Sequence, residues 1–241
     1  MSASEVRSER PRLARQANEG KTARLRIDWL GTVPYGAALE RQLEAVEARR
    51  RGGPDRLLLL EHPPVITLGR SARPENLQTP RAELTRRGVE VREVARGGDV
   101  TWHGPGQLVG YAIVDLAARG RADVHAWLRC LEGVLIDALG MLGAGARRRP
   151  GRTGVFLEKP DAAGYARKIA SIGVGLRGWI SWHGFALNLT TATDAFSDIV
   201  PCGLHDVRMT SLAEALGAEP TPALFERARG EVAAAFRRAL A

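Results

Sequence analysis

Cysteine is nearly absent from this chain. Cys130 and Cys202 are the only two in 241 residues, so no disulfide framework holds the fold, and the pair fits a reducing, cytoplasmic setting. Long apolar runs are missing too. Runs such as Leu57–Leu60 fall far short of the ~20 residues that cross a bilayer, and no membrane partner is expected. The opening MSASEVRSERPRLARQ has no apolar core behind its charges, which argues against a secretory signal. Aromatics make up 5% of the chain, and no basic stripe is interleaved with rings, so nucleic acid is not an expected partner. His62, His103, His125, His183 and His205 include no His-x-x-x-His pair, and no metal is expected. The glycine-rich stretch at 96–107 is neither a GxGxxG nor a GxxxxGK[ST] loop and so gives no motif support for nucleotide binding, and no GxSxG elbow supports a serine hydrolase.

What is present is a 44% hydrophobic content and a net charge of +8, enough for a sizeable core and an attraction to acidic partners. Seven basic residues against three acidic ones within residues 1–26 supply half of that charge. Residues 1–23 are therefore read as a disordered basic tail, and 24–241 as a single catalytic domain whose last thirty residues form a small C-terminal subdomain. Of 35 basic residues only Lys21, Lys159 and Lys168 are lysines. Genomic base composition accounts for the bias in general, yet a lysine kept against it can change its charge where arginine cannot.

Alternating and continuous apolar patterns predict strands at 25–30, 56–61, 65–68, 89–94, 100–102, 108–116, 155–157, 169–176 and 179–189. Helical spacing predicts helices at 36–51, 81–87, 123–142, 211–216 and 221–239, with Asp123 as an N-cap. Cys130 falls inside the third helix beside Leu131 and reads as a buried, inert thiol. Hairpins and helices mix without regular βαβ alternation. The fold class is therefore α+β, with mixed or mostly antiparallel sheets flanked by helices.

Three stretches could carry chemistry. RGGDVTWHGPGQ (96–107) offers exposed backbone donors bordered by Arg96, Thr101, His103 and Gln107. That suits a cradle for the polar end of a ligand, although a pair of tight turns explains the glycines equally well. RKIASIGVGLRGWISWHGFALNL (167–189) opens on Lys168 and keeps small residues on both arms of a hairpin. Lys168 alone reads as a solvated strand-end residue, and His183 alone as a structural histidine. Pro201-Cys202-Gly203 puts a thiol on a rigid turn. A reactive cysteine needs a cation or base to become a thiolate, and His205 and Lys168 are the candidates.

HPPVITLGR (62–70), RGGDVTWHGPGQLVGYAIVDL (96–116), RTGVF (152–156), KIASIGVGLRGWISWHGFALNL (168–189) and PCGLHDVRMTSL (201–212) together resemble the octanoyltransferase family of lipoate biosynthesis. The resemblance runs over about residues 25–216. It implies the lipoate/biotin protein ligase-like fold and transfer of an octanoyl group from octanoyl-acyl carrier protein to a lysine of lipoyl domains. Those acceptors are the E2 subunits of 2-oxoacid dehydrogenases and the glycine cleavage H protein. By position, Cys202 matches the family's acyl-thioester nucleophile and Lys168 the lysine that lowers its pKa. Arg96, Gly97, Gly98, Asp99, Val100, Thr101, Trp102 and His103 match substrate-contacting residues, as do Ser171, Ile172, Gly173, Gly184, Phe185 and Ala186. Thioester exchange needs neither ATP nor any other cofactor, and a monomer is expected.

Overall fold

The computed structural model describes residues 25–201 and 206–241. The readings made for the N-terminal tail, Cys202 and His205 lie outside the described residues. Leu57–Leu60 shows why one strand can be apolar throughout. Its side chains point alternately to opposite sides of a sheet, and both sides are covered: Leu57 and Leu59 join one core cluster, Leu58 and Leu60 another.

In chain order the elements are β1 (Leu25–Thr32), α1 (Tyr35–Arg50), β2 (Asp55–Glu61), β3 (Val65–Leu68), α2 (Arg81–Arg86), β4 (Glu90–Glu93), β5 (Val100–His103) and β6 (Gln107–Ile113). They continue as α3 (Val124–Met141), β7 (Ala146–Arg149), β8 (Arg152–Leu157), β9 (Ala166–Arg177), β10 (Ile180–Asn188), β11 (Val207–Met209), α4 (Leu212–Leu216) and α5 (Pro222–Ala239). A large sheet runs β1-β2-β6-β10-β9-β8-β7, with β11 beside β9, and a small sheet runs β4-β3-β5. Pairing is parallel at β1–β2, β3–β4 and β9–β11 and antiparallel elsewhere. The expected α+β class with mixed sheets is what the chain forms. Helices α3 and α5 cover one face of the large sheet, and α1 covers the other. Among the described residues no helix is long and apolar enough to cross a membrane.

Asp123 caps α3 as expected, its carboxylate accepting from the amides of His125 and Ala126. Cys130 packs half-buried against the core, and burial raises its thiol pKa. The C-terminal residues do not stand apart as a subdomain. Phe225, Val232 and Phe236 of α5 share one core cluster with Leu131 and Leu135 of α3. Two strands escaped the sequence patterns. β7 reads ARRR, yet as the edge of the sheet it has few apolar neighbours to demand, and edge strands carry charge well. β11 is three residues long, too short to show a period, and it pairs in parallel with β9 so that Met209 faces Lys168.

Candidate active site

Glycines bring the small sheet against the large one. The loop after β3 and the loop before β5 hold each other through their backbones: Gly69 N–H donates to Asp99 O at 3.2 Å, Arg70 N–H to Arg96 O and Ser71 N–H to Gly98 O at 3.1 Å each. A Cβ at Gly69 would lie 2.2 Å from the Gly98 oxygen, so only glycine allows this approach. Gly97 N–H then donates to Val174 O of β9 at 2.9 Å, and a Cβ at Gly173 would sit 2.7 Å from the Gly97 oxygen. Asp99 stitches the loop from within, accepting from the amides of Val100 and Arg73 and from the Asn76 side chain.

Between these walls runs a narrow slot of about 50 Å3. Arg96, Gly98, Asp99, Val100, Thr101 and His103 line one side, and Ser171, Ile172, Gly173, Gly184, Phe185 and Ala186 the other. Tyr35, Val109, Tyr111 and His183 complete it.

A chain of hydrogen bonds leads from the slot into the large sheet. Arg96 Nη2 donates to Thr67 O at 2.8 Å and to Thr67 Oγ1 at 2.9 Å. The Thr67 hydroxyl is 3.3 Å from His103 Nε2, and His103 Nδ1 is 2.7 Å from Gln107 Oε1. The Gln107 amide group donates to Trp102 O and, at 2.9 Å, to Asn188 Oδ1. Because the Trp102 carbonyl can only accept, Oε1 of Gln107 must face His103. His103 Nδ1 then carries a proton and donates it to Gln107 Oε1. Asn188 Nδ2 donates to Thr210 O, and Thr210 N–H donates to Lys168 O, each at 3.0 Å. A second buried histidine is oriented the same way: His62 Nδ1–H donates to Val33 O at 2.6 Å, and the Tyr111 hydroxyl donates to His62 Nε2 at 2.7 Å. Burial depresses the pKa of His62 to about 4. It brings His103 to about 3, helped by His62 and Arg96.

His183 has no such arrangement. It is 2% exposed, and neither ring nitrogen has a hydrogen-bond partner among the described residues. Its ring stacks on Trp182 at 4.1 Å and meets Tyr111 edge-on at 6.2 Å. Its φ of 57° is in the left-handed region, uncommon for a side chain of this size. Burial, with Arg96 next, brings its pKa to about 3.

Lys168 is 1% exposed, and its Nζ lies 5.8 Å from the Phe156 ring centroid. Arg149 of β7 sits at the same distance from that ring. The lysine's stem runs against Gly154, where a Cβ would be 2.8 Å from Lys168 Cε and 2.7 Å from Ala170 O. Gly154 also has φ 127°, which a side chain strains to adopt. Gly154→Ala should therefore cost about 2–4 kcal/mol in urea unfolding, combining backbone strain and overpacking. It should also displace Lys168 and lower transfer activity more than a surface glycine variant such as Gly164→Ala does. Unchanged stability and activity would show that the lysine has room to spare.

Residues 34–236 match the lipoyl protein ligase A/B catalytic domain family. Octanoyltransferase from Geobacter metallireducens is 47% identical over 80% of this chain and 84% of its own. Octanoyltransferase from Rubrobacter xylanophilus is 47% identical over 87% and 90%. The chain belongs to the octanoyltransferase family. Solved structures agree at the level of fold alone. A putative lipoate protein ligase from Thermoplasma acidophilum superposes with a TM-score of 0.67 at 15% identity, over 89% of this chain and 84% of that one. Lipoate-protein ligase A bound with ATP gives 0.67 at 14%, over 90% and 85%.

For a member of this family the sequence-predicted segments converge well. All the expected substrate-contacting residues line the slot except Gly97 and Trp102. Gly97 spends its amide on β9. Trp102 turns away on its strand to pack edge-on against Phe196, 5.5 Å between centroids. Lys168 lies off the lining, deeper in the large sheet. Tyr35, Val109 and Tyr111 were missed. Tyr35 carries only the signal of a helix start, and Val109 and Tyr111 that of a buried strand. Nothing local says that α1 and β6 face the glycine loops.

Proposed function

We propose that this octanoyltransferase-family enzyme moves an octanoyl group from octanoyl-acyl carrier protein to a lysine of lipoyl domains, on E2 subunits and the glycine cleavage H protein, through a thioester on Cys202. The slot carries this reading: a narrow, glycine-walled cleft between two sheets, joined by hydrogen bonds to the strand of a buried lysine, in a chain whose relatives are named for octanoyl transfer. β11 begins five residues beyond Cys202 and pairs with β9 at Lys168, which favours bringing the thiol-bearing segment to the lysine.

In the first half-reaction the Cys202 thiolate attacks the donor's thioester carbonyl, and the carrier protein's thiol leaves with a proton from Lys168. In the second, the acceptor lysine attacks the Cys202 thioester as a free amine. Its proton passes through Lys168, and Cys202 is released. Backbone amides near the thiol hold the oxyanion of both tetrahedral intermediates. Bonds of similar energy are exchanged in the first step, so no ATP enters. Residues 24–241 act as one catalytic domain behind a basic tail, as a monomer in the cytoplasm.

The test is to mix the protein with octanoyl-acyl carrier protein and a lipoyl domain without ATP, and to weigh both proteins intact. The lipoyl domain should gain one octanoyl amide. Transfer that occurs only from free octanoate and ATP would replace this reading with a ligase.

A further inference from the structure

The lining of the slot changes in chemistry along β9 and β10. On β9 the slot is lined by Ser171, Ile172 and Gly173. Gly173 pairs with Gly184 of β10, and the next pair is Val174 with His183. From Ser171 to Val174 is three residues, or roughly 10 Å at the rise of a strand. Extended backbone advances about 1.1 Å per bond at that rise, so the seven carbon–carbon bonds of an eight-carbon chain cover about 8 Å. A chain whose carbonyl end sits beside Ser171 and that runs along β9 therefore ends beside His183.

At that point stands an imidazole whose two nitrogens find no partner among the described residues, although it is 2% exposed and lines the slot. A buried polar group left unpaired costs about 1–3 kcal/mol, and its backbone is in a conformation that histidine seldom adopts. Its neighbours account for their own hydrogen bonds differently. Tyr111 gives its proton to His62, and His103 is held by Gln107 and Thr67. The ring is also wedged, stacked on Trp182 and set edge-on to Tyr111.

We propose that His183 is the end stop of the acyl slot: it limits the chain to about eight carbons and offers a hydrogen bond to a polar atom carried at the chain's far end. This rests on the reading of the slot as the acyl site. His183 thus sets specificity rather than taking part in the transfer step, and the signature lies in the ratio of donors rather than in rate alone.

The experiment loads the full-length protein with octanoyl, dodecanoyl and 8-hydroxyoctanoyl thioesters of acyl carrier protein in competition, and reads the acyl-enzyme masses. Wild type should prefer octanoyl to dodecanoyl strongly. His183→Gly, which suits the left-handed backbone, should raise the dodecanoyl-to-octanoyl ratio by about tenfold or more, the effect of a few methylenes in an apolar pocket. His183→Asn, also tolerant of that backbone, should fall between. Wild type should load the 8-hydroxy chain about as readily as octanoyl, whereas a wall without a partner would reject the buried hydroxyl by roughly tenfold or more. A ratio that does not move in either variant overturns the stop, and rejection of the 8-hydroxy chain by wild type overturns the hydrogen bond. Should neither variant fold, a wild type that loads dodecanoyl as well as octanoyl still refutes the proposal. If no thioester loads wild type, the reading of acyl transfer itself fails.

Discussion

Cys202→Ala should carry no octanoyl adduct after incubation with octanoyl-acyl carrier protein, and its transfer rate should fall by about 10⁴-fold or more. That is the scale expected when the group forming the covalent intermediate is removed from a double-displacement mechanism. The wild-type adduct should be cleaved by hydroxylamine, as a thioester is, and should disappear when a lipoyl domain is added. The half-reactions can then be separated: wild type discharges pre-loaded octanoyl to the acceptor, while the alanine variant has nothing to discharge. Cys130 serves as the internal control. It is half-buried within α3 with its pKa raised by burial, so Cys130→Ala should leave the adduct in place. Near wild-type transfer by Cys202→Ala would remove the thioester from the mechanism and return the chain to direct attack of the acceptor lysine on the donor.

The second large effect is on stability. His62, His103 and His183 are held neutral in the folded protein, with pKa values of about 4, 3 and 3, against about 6.5 in the unfolded chain. Between those limits the unfolded state binds protons that the folded state refuses, so stability falls as pH falls from about 6.5 toward 4. Each histidine loses about 1.4 kcal/mol at pH 5.5, and the three together lose about 4 kcal/mol, a large part of the 5–15 kcal/mol that holds a typical domain. The carboxylates of Asp28 and Asp198, depressed by their arginine partners, add their losses only at lower pH. Urea unfolding at pH 7.5 and 5.5 should show the drop, and His183→Asn should remove about a third of its slope. An unfolding free energy flat between those values would mean that the cluster accepts protons without unfolding.

Most of the fold could be read from the sequence because its apolar patterns are strong. Leu57–Leu60, the wide stripe of α3 and the alternation through β9 and β10 each announce an element and a buried side. β7 and β11 could not be read that way, since an arginine-rich edge and a three-residue strand gain their structure from neighbours distant in sequence. The slot divides similarly. Its glycine walls were legible as motifs, because close backbone approach leaves a mark in residue type. Its floor was not: Tyr111 meets His62 only because β2 and β6 pair in register, with Leu58 beside Tyr111. His183 was visible as a polar residue among small ones, but that both its nitrogens are left over is a fact of tertiary structure alone.

The hydrogen-bond chain from Arg96 to Lys168 begins in the small sheet, at Thr67 and His103, and finishes in the large one. Opening the small sheet would strand Gln107, 1% exposed, inside the large sheet without its His103 and Trp102 partners. Partial unfolding that spares the large sheet is thus penalised, and the two sheets belong to one cooperative unit. Thermal fluctuation therefore does not easily loosen the walls of the slot independently of the strand that holds the lysine.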